Sequence, residues 1–304
     1  MRFQPHRRAV PCLLLILLPM PGSHAGADEA GAIRAYERAK QSEPTLIAFL
    51  TQMPKGGDLH NHAVGAIYAE AELDSAIASG LFFDPATTRF YTDSAPGRAP
   101  AAQLLTNGAL LSQFLQAASM AGWLPAKESG HDHFFNAFAT LGSAIQKMTS
   151  EELLAQLLRR YRDQNLQYAE IMTNIAPADA MAAVTTDAPS VDDLPSALAI
   201  LRPRLAAFVP ACRAYLDERD RVLTDALGCP SSITGAGGPI NVRYIQQANR
   251  TGALETFFAT IAAAFAVMQQ DRRVVAINIV APEDHPNARR NFQRQMEIID
   301  FLWR

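Results

Sequence analysis

The strongest constraint on the fold is the run Val274-Val275-Ala276-Ile277-Asn278-Ile279-Val280, nearly continuous in Val, Ile and Ala. A short apolar run without polar alternation suits a parallel strand covered on both faces. Parallel strands need long crossover connections, usually helical, so such a strand implies repeated strand–helix units around it. Three further segments supply partners: Gly57 to His62, Gln167 to Thr173 and Asn241 to Gln246. Long helical stretches separate them, and that alternation predicts α/β architecture.

The helical stretches carry their own signals. Phe134, Phe138, Leu141, Ile145 and Met148 recur at helical spacing and predict a buried stripe. Thr149-Ser150-Glu151-Glu152 reads as a capping box opening a helix that buries Leu153, Leu154, Leu157, Leu158 and Tyr161. Leu254, Phe257, Phe258, Ile261, Phe265 and Met268 mark the helix joining the third and fourth strands. A last helix, around Arg289 to Trp303, presents Phe292, Met296, Ile299 and Trp303, and an N-terminal helix is expected around Ala30 to Leu50. The first two strands stand about 100 residues apart and the second and third about 65, too far for simple connections, so both gaps must hold helical insertions. Gly235-Ala236-Gly237-Gly238-Pro239 lacks the spacing and the following helix of a phosphate loop and reads as a turn.

With 49% hydrophobic and 19% charged residues, the 304-residue chain can bury a sizeable core. Its 27 Lys and Arg against 30 Asp and Glu give no broad cationic field, which argues against a nucleic-acid partner. Arg2, Arg7 and Arg8, the apolar run Leu13 to Leu18 and the small-residue exit Ser23-His24-Ala25 have the order of a secretory signal peptide over residues 1–25. The run is far short of the roughly 20 residues of a membrane span. The expectation is a secreted or periplasmic protein that leaves the membrane once cleaved, with 24 basic residues against 30 acidic after Arg2, Arg7 and Arg8 are removed. Cys12 departs with that segment. Cys212 continues the spacing of Leu198, Leu201, Leu205 and Phe208 and reads as a buried thiol, the alternative being a disulfide with Cys229. No CxxC occurs, which excludes a thiolate zinc knuckle.

The chemistry concentrates in Met53-Pro-Lys-Gly-Gly-Asp-Leu-His-Asn-His62. Side chains two apart on a strand point the same way, so His60 and His62 converge and make half of a metal site. The alternative is a hydrogen-bonded structural pair. The place, at the C-terminal end of the first strand of a βα series, is where barrel enzymes put their chemistry. His131 and His133 read as local capping groups more readily than as an entrance lining. Glu283 and Asp284 read as helix-start charges more readily than as pocket polar groups, and His285 lies in the loop after the fourth strand.

Met53-Pro54-Lys55 followed by Asp58-Leu59-His60-Asn61-His62 resembles the opening of the adenosine deaminase barrel, including the secreted adenosine deaminase-related growth factor type. Tyr168-Ala169-Glu170-Ile171, Val242-Arg243-Tyr244-Ile245, Val274-Val275-Ala276-Ile277-Asn278 and His131-Asp132-His133-Phe134-Phe135 extend the resemblance over roughly residues 29 to 304. It implies a zinc-dependent TIM (βα)8 barrel of the amidohydrolase superfamily, acting in purine metabolism by hydrolysing adenosine to inosine and ammonia. His60 and His62 would be the first two Zn2+ ligands, and the metal would lower the pKa of bound water. Gly65 would be a kept substrate-side glycine, and Ala281 would stand where the family has the glycine that approaches the purine. Val64 replaces a carboxylate that grips the ribose in many members.

The family's remaining catalytic groups lie in its later strands, in a His-Ala-Gly-Glu motif, a His-Gly pair and an Asp-Asp pair, and none of these is present. The expectation is therefore a partial barrel of about the first four βα units. Its organisation would be a signal peptide over 1–25, an N-terminal helical segment over 26–52 and an incomplete barrel with helical insertions over 53–304. The catalytic acid and base would lie beyond Arg304, leaving this chain inactive or impaired. Its open edges would make it unstable alone or pair it with another copy. The N-terminal segment resembles the one that secreted members use to dimerise, which makes a homodimer the expectation. The alternatives are a non-catalytic exported protein that binds a nucleoside or a partner, and another metal-dependent amidohydrolase.

Overall fold

The computed structural model describes residues 28–229, 232–234 and 240–304. The signal-peptide reading, Cys12 and the Gly235–Pro239 turn lie outside the described residues. The described residues divide into two compact units, one ending at Thr51 and the other beginning at Gln52.

In the first unit the expected single helix is two, α1 (Glu29–Ala39) and α2 (Glu43–Gln52). Asp28 caps α1 by accepting the Gly31 N–H at 2.8 Å. The break falls just before Pro44, which has no N–H to continue α1 and fits only the first turn of a new helix. Thr45 donates its hydroxyl to the Ala39 carbonyl at 2.7 Å, and the rings of Tyr36 and Phe49 lie 5.6 Å apart across the turn.

The second unit opens with β1 (Gly57–His62) and α3 (Ala69–Ala78). With α3 begins an insertion that continues through β2 (Phe82–Asp84), β3 (Arg89–Tyr91), β4 (Ala99–Pro100), α4 (Gly108–Ala118) and α5 (Gly130–Ala144). Then come α6 (Ser150–Asp163), β5 (Tyr168–Thr173), α7 (Ala178–Thr185), α8 (Leu194–Leu227), β6 (Asn241–Asn249), α9 (Leu254–Met268), β7 (Val274–Val280) and α10 (Pro286–Trp303). The long strands β1, β5, β6 and β7 pair in parallel and in sequential order. This is an α/β fold with the arrangement of about four successive units of a (βα)8 barrel, a partial barrel whose edge strands among the described residues are β1 and β7.

The outer face of the sheet packs on helices. Ala169, Ile171, Val242 and Tyr244 are buried against Leu157 and Leu158 of α6, Leu201, Leu205 and Phe208 of α8, and Phe257 and Phe258 of α9. The Thr149 capping box forms, with Glu152 accepting the Thr149 N–H at 2.7 Å and Thr149 accepting the Glu152 N–H at 3.2 Å. Arg219, fully buried in this layer, donates to Glu151 at 3.0 Å, to the Asn174 carbonyl at 2.8 Å and to the Tyr215 hydroxyl at 2.5 Å. A buried guanidinium is tolerated because its donors are engaged. Cys212 is buried, donating to the Ile175 carbonyl at 2.9 Å, and burial pushes its thiol up to about 12. Cys212 and Cys229 are both free thiols.

The insertion differs from its purely helical expectation, because β2, β3 and β4 form a small antiparallel sheet. Phe83, Phe90 and Phe114 build a second core with Leu73, Leu104 and Leu141. Their rings meet at 5.2 to 6.1 Å, within the range of favourable aromatic pairing. The stripe expected on α5 is displaced: Phe134 and Phe138 are 46% and 40% exposed, whereas His133, Ala137, Thr140, Leu141 and Ala144 are buried. On α10 the buried positions are Ala288, Gln295 and Ile298, and Phe292 and Trp303 face outward. In both helices neighbouring elements select a stripe offset from the most apolar one. No helix among the described residues is long and apolar enough to cross a membrane.

Candidate metal centre

Strand β1 carries the two imidazoles on the sheet face opposite the helices. The rings of His60 and His62 have centroids 5.4 Å apart and planes inclined at 72°. Both side chains are solvent-accessible at the C-terminal end of the strand. At this separation, ring nitrogens from both can reach one ion at the 2.0–2.1 Å typical of Zn–N bonds once the rings rotate about their side-chain torsions.

A bulge helps set this arrangement. The β1–β5 register shifts between Asp58 and Asn61, so Asp58 lies opposite Ala169 and Asn61 opposite Ile171, both on the helix-covered side. Strict alternation would have put Asp58 on the same face as the histidines. Instead Asp58 accepts the Tyr161 hydroxyl from α6, the His60 N–H at 3.1 Å and the Asn61 side-chain amide at 3.1 Å. Burial raises the Asp58 carboxyl, but those hydrogen bonds, Tyr161 first, outweigh it and hold the group below its ordinary range. The strand end that bears both imidazoles is thereby tied to the helix layer.

On the histidine side, contacts bridge intervening strands, as the concave side of a curling sheet allows. Gln247 of β6 places Oε1 3.2 Å from His62 Nδ1, passing over β5. Asn278 of β7 donates to the Met172 sulfur at 2.9 Å, passing over β6. Gln247 has no signature in the sequence beyond a polar residue near the end of an otherwise buried strand.

Gly65 follows in a short 3-10 turn, Val64–Ala66. A Cβ there would lie 3.8 Å from the His62 Cβ, an ordinary contact, so space does not demand glycine. Ala281 stands at the end of β7, at the other edge of the sheet from β1, with φ of 83°. That is a left-handed conformation natural for glycine and strained for alanine.

The remaining histidines among the described residues, His131, His133 and His285, make structural contacts away from this pair. His133 is buried in the insertion between the Glu128 carboxylate at 2.6 Å and the Ser119 carbonyl at 2.9 Å; the Glu128 hydrogen bond foremost holds it above the usual imidazole value. His131 lies 3.3 Å from Asp132 and 3.2 Å from Asp284, linking the start of α5 to the loop after β7. Its pKa is raised, by Asp132 first and also by Asp284. Ser129, not a histidine, caps α5 by accepting the Asp132 N–H at 3.0 Å. Asp284 therefore makes a tertiary contact, and Glu283 pairs with Arg250 at 2.8 Å. His285 caps α10 by accepting the Asn287 N–H at 3.2 Å.

The donor set at the strand end is two imidazoles. Among the described residues no group of three or more His, Cys, Asp or Glu gathers to hold a metal. The pair fits two positions of a zinc coordination sphere in chemistry and separation.

No family model and no curated protein matches the chain. Among solved structures it is similar to Arabidopsis ADAL complexed with GMP, at 13% identity and a TM-score of 0.44, over 82% of this chain and 57% of that one. It is similar to the Arabidopsis N6-mAMP deaminase MAPDA at 14% identity and a TM-score of 0.44, over 83% and 58%. It is also similar to an amidohydrolase from Burkholderia ambifaria with bound Zn, at 15% identity and a TM-score of 0.39, over 83% and 50%. The chain thus spans between half and three-fifths of the length of these structures.

Proposed function

We propose that this chain carries the two-histidine metal site of an adenosine deaminase-like, zinc-dependent hydrolase, the class of enzyme that converts adenosine and water to inosine and ammonia. The observation that carries the reading is the convergence of His60 and His62, 5.4 Å apart, at the C-terminal end of the first strand of a sequentially ordered parallel sheet. The Met53-Pro54-Lys55 and Asp58-to-His62 resemblance supports the substrate class. When bound, zinc supplies Lewis-acid activation of water near neutral pH. His60 and His62 would hold it, and the Asp58 anchor on the far side of the sheet would keep their strand end in register. Gly65 and Ala281 would border the purine nucleoside. The leader-like residues 1–25 support export to a periplasm or the medium.

The test is metal analysis and adenosine turnover on the purified chain, beside the double variant His60→Ala/His62→Ala. The expected result is zinc bound by the parent chain and lost from the double variant. Zinc retained in full by the double variant would remove the proposed site. Zinc bound without inosine formation would confine the reading to the metal site.

A further inference from the structure

We propose that Gln247 is a positioning residue that selects the His62 tautomer protonated at Nδ1, and so presents the Nε2 lone pair to a divalent metal ion. This rests on the zinc reading above and adds to it a residue from a strand that does not adjoin β1.

The argument is one of donors and acceptors. Gln247 Oε1 lies 3.2 Å from His62 Nδ1, and an amide oxygen only accepts. Nδ1 must then carry the proton. In a neutral imidazole that leaves the lone pair on Nε2, the ring nitrogen turned away from the glutamine. Metal-binding histidines are commonly oriented this way, with the non-ligating N–H donated to a protein oxygen.

The amide can act so because its strand is fixed. Gln247 pairs with Asn278 in the β6–β7 ladder. Its carbonyl accepts the Gln246 side-chain amide at 2.7 Å. Gln246 is buried, and its own side-chain oxygen accepts the Ile175 N–H at 3.3 Å just beyond β5. The two glutamines thus act in sequence: Gln246 ties the end of β6 to the end of β5, and Gln247 reaches over β5 to β1. His62 is held by a carbonyl oxygen two strands away, while His60 donates its backbone N–H to Asp58. One strand end is thereby constrained from both sides of the sheet.

The experiment uses the full chain, metal-free and 15N-labelled, in alkaline buffer. Long-range 1H–15N NMR reads which ring nitrogen of His62 is protonated. The parent protein is expected to show the Nδ1–H form. Gln247→Ala should shift His62 toward the Nε2–H form that free imidazole side chains favour. Gln247→Glu, which keeps an accepting oxygen, should restore Nδ1–H. Zinc titration of the same three proteins should show affinity lowered about 10- to 100-fold in Gln247→Ala and recovered in Gln247→Glu. An Nε2–H ring in the parent chain, or a tautomer and zinc affinity unmoved by Gln247→Ala, would overturn the proposal. If the parent chain bound no zinc, the metal reading would fail, and the tautomer measurement would still decide what Gln247 does to His62.

Discussion

The layer between the parallel sheet and its helices and the insertion that follows β1 meet the same demand, a dry interior, in different ways. In the helix layer Arg219, a fully buried cation, has a carboxylate, a carbonyl and a hydroxyl around it. In the insertion the fully buried Glu72 of α3 finds no hydrogen-bond partner at either carboxylate oxygen among the described residues, and burial pushes its pKa up to about 8. The insertion also leaves Phe134 and Phe138 exposed on α5, whereas Phe257 and Phe258 of α9 are sealed against the sheet. Buried polar groups are tolerated in proportion to the partners they find. The helix layer thus seats its buried charge among partners, although the Tyr244 hydroxyl there finds none among the described residues, and the insertion holds a carboxyl whose comfort depends on its staying protonated.

Three substitutions press on that contrast. The largest effect is expected from Phe258→Ala in the helix layer, a loss of about 4 kcal/mol by urea denaturation, since the neighbours of a closed core collapse only partly into the space. A loss below about 1 kcal/mol would show the layer to be looser than its burial implies.

Next is Glu72→Gln. With its folded pKa near 8 against an ordinary 4.5, Glu72 binds its proton more tightly in the native than in the unfolded chain. Stability should therefore fall as pH rises from about 4.5 to 8, by an amount on the order of 4 kcal/mol. Glu72→Gln should flatten that slope, leaving the variant the more stable protein at pH 8 and equal to the parent near pH 4.5. Parallel stability–pH curves for the two would remove the unpartnered carboxyl from the comparison.

The smallest effect belongs to Phe134→Ser. Although the sequence pattern makes this ring a core residue, its exposure predicts a change within about 0.5 kcal/mol. A loss of 2 kcal/mol or more would mean that the aromatic face of α5 is covered in solution.

Much of the scaffold was legible. Strands β1 and β7 have the bounds their apolar runs and turn residues suggest, while β6 continues three residues past Gln246, to Asn249. The capping box at Thr149 and the apolar periodicity of α8 and α9 also read correctly, because each is a local regularity backed by the packing. The small β2–β3–β4 sheet is not legible in the sequence, since strands of two or three residues carry too few positions to show an alternation. The stripes on α5 and α10 were misplaced for another reason: helical spacing marks several overlapping faces, and the neighbouring elements choose among them.

The candidate site divides along the same line. By itself the sequence pointed to a shared face for His60 and His62, because an unbulged strand repeats every two residues. Only the tertiary structure decided that a bulge turns Asp58 away to Tyr161 on α6 and that Gln247 reaches His62 across an intervening strand. It also left the strained backbone of Ala281 at the opposite edge of the sheet. Those outcomes depend on register and curvature, which arise from the packing of residues 100 or more positions apart, and no local periodicity encodes them.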